Sequence, residues 1–195
     1  MKRVVVIASG ETERRSLPHL LGHLRAEGIS IVEVRRPDGH KALNVEMADR
    51  LAKASWYSAP VDQKPDKFVV LVDADGNDPE QVLSPFRNQL PTRLALGIVA
   101  ALQFACAQWH LEAWYFADHT GLKGYLRRAL GNVGIAPDEI QNPKLHLRNL
   151  LGDRVYTAVI SAEIASKLDA KTIAQRSPSF RGLLDAVRNG NSAQV

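Results

Sequence analysis

A chain of 195 residues, 45% hydrophobic and 24% charged, has enough apolar side chain for one packed domain and too much for an intrinsically disordered segment. Its single cysteine, Cys106, excludes an intrachain disulfide framework and, set in an apolar run, reads as a buried reduced thiol, which makes a cytoplasmic location the expectation. No run of about 18 apolar residues occurs, so no membrane span is expected, and a net charge of +4 permits an anionic partner such as nucleic acid without requiring one.

In chain order, Met1-Lys2-Arg3 leads into Val4-Val5-Val6-Ile7, too short an apolar run for a signal peptide. Val4 to Ala8 reads as a buried strand. After the turn Ser9-Gly10-Glu11-Thr12, Leu17, Leu20, Leu21 and Leu24 recur at helical spacing, which predicts a helix to about Ala26. Pro18 must kink that helix or mark a start nearer Ser16, and Gly28 fits its stop. Ile29 to Arg35 alternates and predicts a second strand; Leu43 to Ala54 reads as helix. Phe68 to Asp73 is a third strand. Asp78-Pro79-Glu80-Gln81 then has the pattern of a helix start, with Asp as cap, Pro at the first position and Gln three after the cap. Leu102 to Ala107 reads as a fourth strand. From Leu111 onward the pattern is helical, with Asp118 a cap and Asn142-Pro143 and Ser177-Pro178 marking further starts.

Continuous apolar strands alternating with helices predict an α/β fold: a mostly parallel four-stranded sheet flanked by helices, carried by residues 1–120, with a C-terminal helical extension over 121–195 packed on it. In such sheets ligands bind at the carboxyl ends of the strands. There the third strand, Phe68-Val69-Val70-Leu71-Val72, runs into Asp73, Asp75 and Asp78. Carboxylates two apart at a strand exit can converge on one hard cation, Mg²⁺ or Mn²⁺; the alternative is a turn shaped by Asp73 and Asp75 and capped by Asp78. A calcium loop is excluded, because the positions for its obligatory Gly and bidentate Glu hold Asp78 and Ser84. Glu11 and Glu13 follow the first strand, where they also complement a helix N-terminus. Glu112 lies just past the fourth strand, awkwardly placed in an aromatic run.

Other features carry less. His19 and His23 are four apart but lack a third ligand for zinc. His110 suits a structural role, Cys106 has no nucleophile context, and Trp56-Tyr57 and Trp114-Tyr115-Phe116 read as core before they read as base-stacking platforms. No Gly-x-x-x-x-Gly-Lys loop is present, so the chain is not itself an ATPase.

Taken in order, strand, Gly10-x-Thr12-Glu13, helix; strand, Asp73-x-Asp75; Glu112-Ala113-Trp114-x-x-Ala117-Asp118; Asn142-Pro143-Lys144; and Ser177 to Val187 together resemble the Toprim-like family catalogued as DUF4276, over nearly the whole chain. The resemblance implies a Toprim-like Rossmannoid fold. It also implies the metal-dependent phosphodiester chemistry of topoisomerases, primases and overcoming-lysogenization-defect (OLD) nucleases, with a role in defence against phage or plasmids, often beside an ATPase partner. The implied metal ligands are Glu13, Asp73, Asp75 and Glu112, with Glu13 and Glu112 also catalytic. One position departs: where the family usually has Glu-Gly-x-Thr-Glu, Ser9 replaces the first Glu, and Glu11 is the possible substitute ligand. Two functions follow, a Mg²⁺- or Mn²⁺-dependent nuclease, or a catalytically silent subunit that binds nucleic acid or a partner protein. A third, weaker one is Mg²⁺-dependent phosphoryl chemistry on a small molecule.

Overall fold

The computed structural model of the chain describes residues 1–39, 41–128, 130 and 135–189. Four strands, β1 (Lys2–Ile7), β2 (Ile29–Arg35), β3 (Lys67–Asp73) and β4 (Leu102–Ala107), form one sheet in the order β2-β1-β3-β4. Every pairing is parallel. The α/β class expected from the alternation is therefore present, and the sheet is wholly parallel. Its ten α-helices among the described residues are α1 (Glu11–Leu20), α2 (Val45–Ser58), α3 (Pro79–Arg93), α4 (Leu96–Val99), α5 (Glu112–Tyr115), α6 (His119–Leu126), α7 (Pro143–Leu151), α8 (Ala158–Ala165), α9 (Ala170–Arg176) and α10 (Pro178–Arg188). No described helix is long and apolar enough to cross a membrane.

The two faces of the sheet are sorted by the period of two along each strand. Val4, Val6, Val69, Leu71 and Ala105 face one core with Leu17, Leu20, Leu21, Leu24, Trp114, Leu147, Ile164, Phe180 and Leu183. Val5, Ile7, Phe68, Val70 and Val72 face a second core with Ala48, Ala52, Leu83, Phe86 and Leu90. Burial on both faces explains why β1 and β3 are continuous apolar runs rather than alternating ones. The helices after Gly121 close the first face together with α1. The segment 121–195 contains no strand among its described residues; residues 129, 131–134 and 190–195 lie outside them.

β1 runs over Lys2–Ile7 where Val4 to Ala8 was expected, and two expected helices differ. The first helix was expected to reach Ala26, but α1 stops at Leu20 and a 3₁₀ turn, Gly22–Glu27, continues to Gly28, which ends it at φ 77°. The helix starts at Glu11, not near Ser16, and contains Pro18. The proline ring offers no N–H to the preceding turn, which weakens the last turn and favours the tighter 3₁₀ continuation. The second helix begins at Val45 and not Leu43, because the Asn44 side chain accepts a bond from the Met47 N–H at 2.9 Å; it runs on to Ser58, just before Pro60.

β3 starts on Lys67, whose side chain is fully buried. Its Nζ donates to the carbonyls of Ala186 (2.8 Å) and Asn189 at the C-terminal end of α10. Burial, with the nearby Lys2 charge second, lowers its pKa to about 7. The unfolded value is about 10.4. Between those values the unfolded chain holds a proton that the native state has released, so this group's contribution makes stability rise with pH from about 7 to 10. Urea denaturation at pH 7, 8 and 9 should show that rise in the wild type and a flatter profile in Lys67→Met. Parallel profiles would show that Lys67 stays charged in its site.

Candidate functional site

The sheet order places a topological switch between β1 and β3, because the chain leaves β1 toward β2 and returns across it to β3. The crevice outside the carboxyl ends of those two strands is the expected ligand position of an open α/β sheet. Ser9 leaves β1 into this crevice, and Asp73 ends β3 there.

Asp73 is packed among like charges. Burial pushes its carboxyl well above the ordinary range, the charges of Glu13, Glu112 and Asp75 push it further, and a hydrogen bond from the Ser9 hydroxyl acts in the opposite sense. Ser9 thus stands close enough to the central aspartate to oppose that rise. Glu13 is buried in the first turn of α1, and its carboxylate folds back so closely that a Cβ on Gly10 would stand 3.0 Å from its Oε2. Burial raises its pKa, the Glu112 charge adds to this, and backbone N–H groups and the Lys144 charge oppose it. Glu112 opens α5 and is 2% exposed. Its Oε1 accepts a 2.7 Å bond from the Tyr156 hydroxyl.

Asp75 lies at the edge of the crevice, with its side chain 65% exposed, and pairs through Oδ1 with His110 Nε2 at 2.9 Å. Its backbone is left-handed, φ 50°, and Gly76 follows at φ 80°. The Asn77 N–H closes this tight turn onto the Ala74 carbonyl at 2.8 Å. Two positive φ values in succession match the central residues of a type I′ turn, where Asp and Gly are favoured. The turn is tied to β4's exit by Gly76 N–H to the Gln108 carbonyl (2.9 Å) and Gln108 Nε2 to the Asn77 carbonyl (3.1 Å). Asp78 caps α3 by accepting from the Glu80 N–H, as its pattern predicts.

Glu11, the possible substitute ligand, stands elsewhere in the charge network. It pairs with Arg14, Arg15 and Arg36 at 2.6 to 2.8 Å, and these guanidiniums hold its carboxyl well below the usual range, against a smaller effect of burial. Arg14 and Arg15 are correspondingly engaged by Glu11. His19 and His23 are exposed. Burial, aided by the Asp73 charge, pushes the Cys106 thiol up to about 12, which leaves almost no thiolate at neutral pH. Trp114, Tyr115 and Phe116 are core residues.

The motifs around the acidic residues hold the scaffold. The Trp114 indole N–H donates to Ser179 Oγ at 2.8 Å, and its ring meets Phe180 edge-on at 5.1 Å. Asp138 accepts from Ser177 and Ser179. The α5 helix that carries Glu112 is thereby pinned to the start of α10. Below it, Ser16, Ser161 and Tyr115 form a buried hydroxyl chain, with contacts of 3.0 and 2.6 Å. Sequence reasoning missed Tyr156 and the placement of Lys144. Neither had a local signal, although Lys144 belongs to the Asn-Pro-Lys motif.

The donor set is all oxygen, as Mg²⁺ and Mn²⁺ prefer. Among the described residues Glu13, Asp73 and Glu112 make no ion pair with Lys or Arg, and buried carboxylates ordinarily require a partner charge or a metal. Also among the described residues, no three His, Cys, Asp or Glu side chains converge closely enough to ligate one ion as they stand. The carboxylates are thus within electrostatic reach of one another without converging on one point. The residues therefore suit a hard cation in chemistry, with the shell still open. Tyr156→Phe removes the donor to the buried Glu112 Oε1, at an expected cost of about 1–3 kcal/mol, measured by urea denaturation at unchanged m-value.

The model of the family described as a domain of unknown function (DUF4276) matches residues 10–188. Among solved structures, the C-terminal region of the Burkholderia pseudomallei OLD protein aligns at a TM-score of 0.48 and 19% identity, covering 96% of this chain and 98% of that one. The C-terminal region of the Xanthomonas campestris pv. campestris OLD protein aligns at 0.42 and 16% identity, covering 96% and 95%. No curated protein matches the chain.

Proposed function

The chain belongs to the DUF4276 family, and from that membership and the geometry of its acidic crevice we propose that it is a Toprim-like, Mg²⁺- or Mn²⁺-dependent nuclease that hydrolyses phosphodiester bonds of nucleic acid. The observation that carries this reading is the set of carboxylates at the β1/β3 switch point, three of them without an ionic partner among the described residues. Asp73 and Asp75 would be the main ligands, with Glu13 and Glu112 completing the shell or positioning water. Bound there, a divalent ion would neutralise charge on the scissile phosphate and acidify a water.

The protein's own groups prepare that shell. The Tyr156 hydroxyl engages one carboxylate, so Glu112 enters with its orientation restrained. His110 Nε2 does the same for Asp75 Oδ1. Preorganised carboxylates matter because productive sites tolerate only about 0.5 Å of misplacement. Residues 1–120 carry all four carboxylates, and 121–195 supplies Tyr156 and Lys144. A cytoplasmic defence role beside an ATPase partner belongs to the same reading.

Ser9 in place of Glu, together with the open shell, favours a second reading: a catalytically silent subunit that binds nucleic acid or a partner protein. The two separate in one assay. Single- and double-stranded DNA and RNA are incubated with protein and Mn²⁺, alongside Asp73→Ala and Asp75→Ala. Cleavage by the wild type that both variants lose supports the nuclease. Cleavage that survives both variants removes these aspartates from the chemistry, and its absence in the wild type leaves the silent subunit.

A further inference from the structure

We infer that the exposed face made by α7, the loop that follows it and the turn after α6 is the track along which a nucleic-acid backbone enters the acidic crevice. The inference rests on the nuclease reading and deepens it by assigning the surface that holds the substrate.

Two residues of α7, Lys144 and Arg148, are four apart and so share a face, about 6 Å from one to the next along the helix. The charge of Lys144 is felt by Glu13. One turn further on, Arg148 lines a concavity with Asp153, Arg154 and Tyr156, and Tyr156 is the residue whose hydroxyl bonds Glu112. Arg154 also lines the next concavity, with Tyr125, Arg127 and Lys167. The two hollows therefore share Arg154, and the first shares Tyr156 with the acidic site. Along this path lie Lys144, Arg148, Arg154, Arg127 and Lys167, and among the described residues the one ion pair these cations make is that of Arg154 with Glu163. Glu163 takes the Tyr125 hydroxyl at 2.7 Å and stands 3.7 Å from Arg154.

The chemistry of the path selects a phosphate backbone over bases. The Arg154 guanidinium lies 5.1 Å over the Tyr125 ring and donates to its hydroxyl at 2.7 Å. The stack fixes the arginine and covers a face of the ring that a base would otherwise stack on. What remains is a row of cations, which neutralise phosphates without reading sequence. Cations leading to a carboxylate cluster also solve an electrostatic problem, because a polyanion would otherwise be repelled from the crevice.

The test is fluorescence anisotropy of the full chain with a mixed-sequence single-stranded 20-mer, as DNA and as RNA, in EDTA and from 50 to 200 mM salt. Arg148→Ala/Arg154→Ala should weaken binding roughly tenfold and lower the slope of log K against log salt by about 1.4, from about 0.7 per cation removed. Arg148→Ala/Lys167→Ala, which leaves the Arg154–Tyr125 stack intact, should do the same; the charge-matched Arg50→Ala/Arg93→Ala on α2 and α3 should not. Track variants that behave like the Arg50/Arg93 control overturn the inference, as does a polyglutamate peptide that binds as tightly as the oligonucleotide. Binding without metal is independent of cleavage. A wild type that binds through the track yet never cuts would sink the nuclease reading alone.

Discussion

Asp73→Asn should abolish metal-dependent cleavage and, in metal-free protein at neutral pH, raise rather than lower the thermal midpoint. The rate loss should be at least about a hundredfold, because the charge stabilisation that a bound metal supplies is worth several kcal/mol and each 1.36 kcal/mol is a factor of ten. The stability gain follows from the sign of the pKa shift. Burial, Glu13, Glu112 and Asp75 hold the Asp73 carboxyl well above its ordinary value, while in the unfolded chain it ionises near pH 3.9. Above that pH the unfolded chain has released a proton that the native state keeps, so this group's contribution makes stability fall as pH rises from about 4 to the native pKa, and the full loss persists at higher pH. Asparagine has no such charge and should flatten that fall.

Metal reverses the sign in the wild type. A cation at 100 times its Kd stabilises the native state by about 2.7 kcal/mol, a rise of about 5–10 °C for a chain of this size. Differential scanning fluorimetry with EDTA, Mg²⁺ and Mn²⁺ should show that rise in the wild type and none in Asp73→Asn. An equal rise in both proteins would place the cation elsewhere. A destabilised metal-free Asp73→Asn would mean that the bond from Ser9 outweighs burial of the charge.

Gly76→Val should be the most damaging single change in the turn, with Gly76→Ala close behind. The left-handed backbone at φ 80° costs an L-residue about 1–2 kcal/mol. A Cβ there would also stand 2.4 Å from Cη2 of Trp109, with two more ring carbons within 2.8 Å, so the indole must move, at an overpacking cost of about 1–3 kcal/mol. Gly76→Ala should lose about 2–5 kcal/mol by the sum of these two effects. In Gly76→Ala/Trp109→Leu the clash is relieved and the backbone strain remains, so the double-mutant cycle should give a coupling of about 1–3 kcal/mol. Additivity would show that the strain alone acts. Because the same turn carries Asp75, Gly76→Ala should also weaken the metal-induced rise in midpoint.

Local pattern was enough for much of the fold. β2 and β4 occupy the residues that their sequence predicts, since Gly28 bounds one and apolar pattern the other. Asp78, Asp118 and Ser177 cap their helices as short-range chemistry requires. The end of α1 was misread because the leucine stripe continues through the 3₁₀ turn: Leu24 is as buried as Leu17, and periodicity alone does not distinguish the two helix types. Lys67 was left out of β3 because a lysine reads as solvent; its burial depends on carbonyls more than a hundred residues away.

The acidic crevice divides in the same way. The sequence by itself determined the kinds of group and their stations: carboxylates at the exits of β1, β3 and β4, a glycine where the turn demands positive φ, and an α/β alternation that makes those exits a ligand position. Only the tertiary structure decided which groups meet. The crossover from β2 to β3 sets the exits of β1 and β3 side by side, Glu11 is captured by three arginines while Glu13 turns inward, and Asp75 is tied to His110. Tyr156 reaches Glu112 across 44 positions. The physical reason is range: caps, turns and strand periods are settled within a few residues of chain, whereas burial, charge repulsion and hydrogen bonds between distant segments exist only once the chain has closed around them.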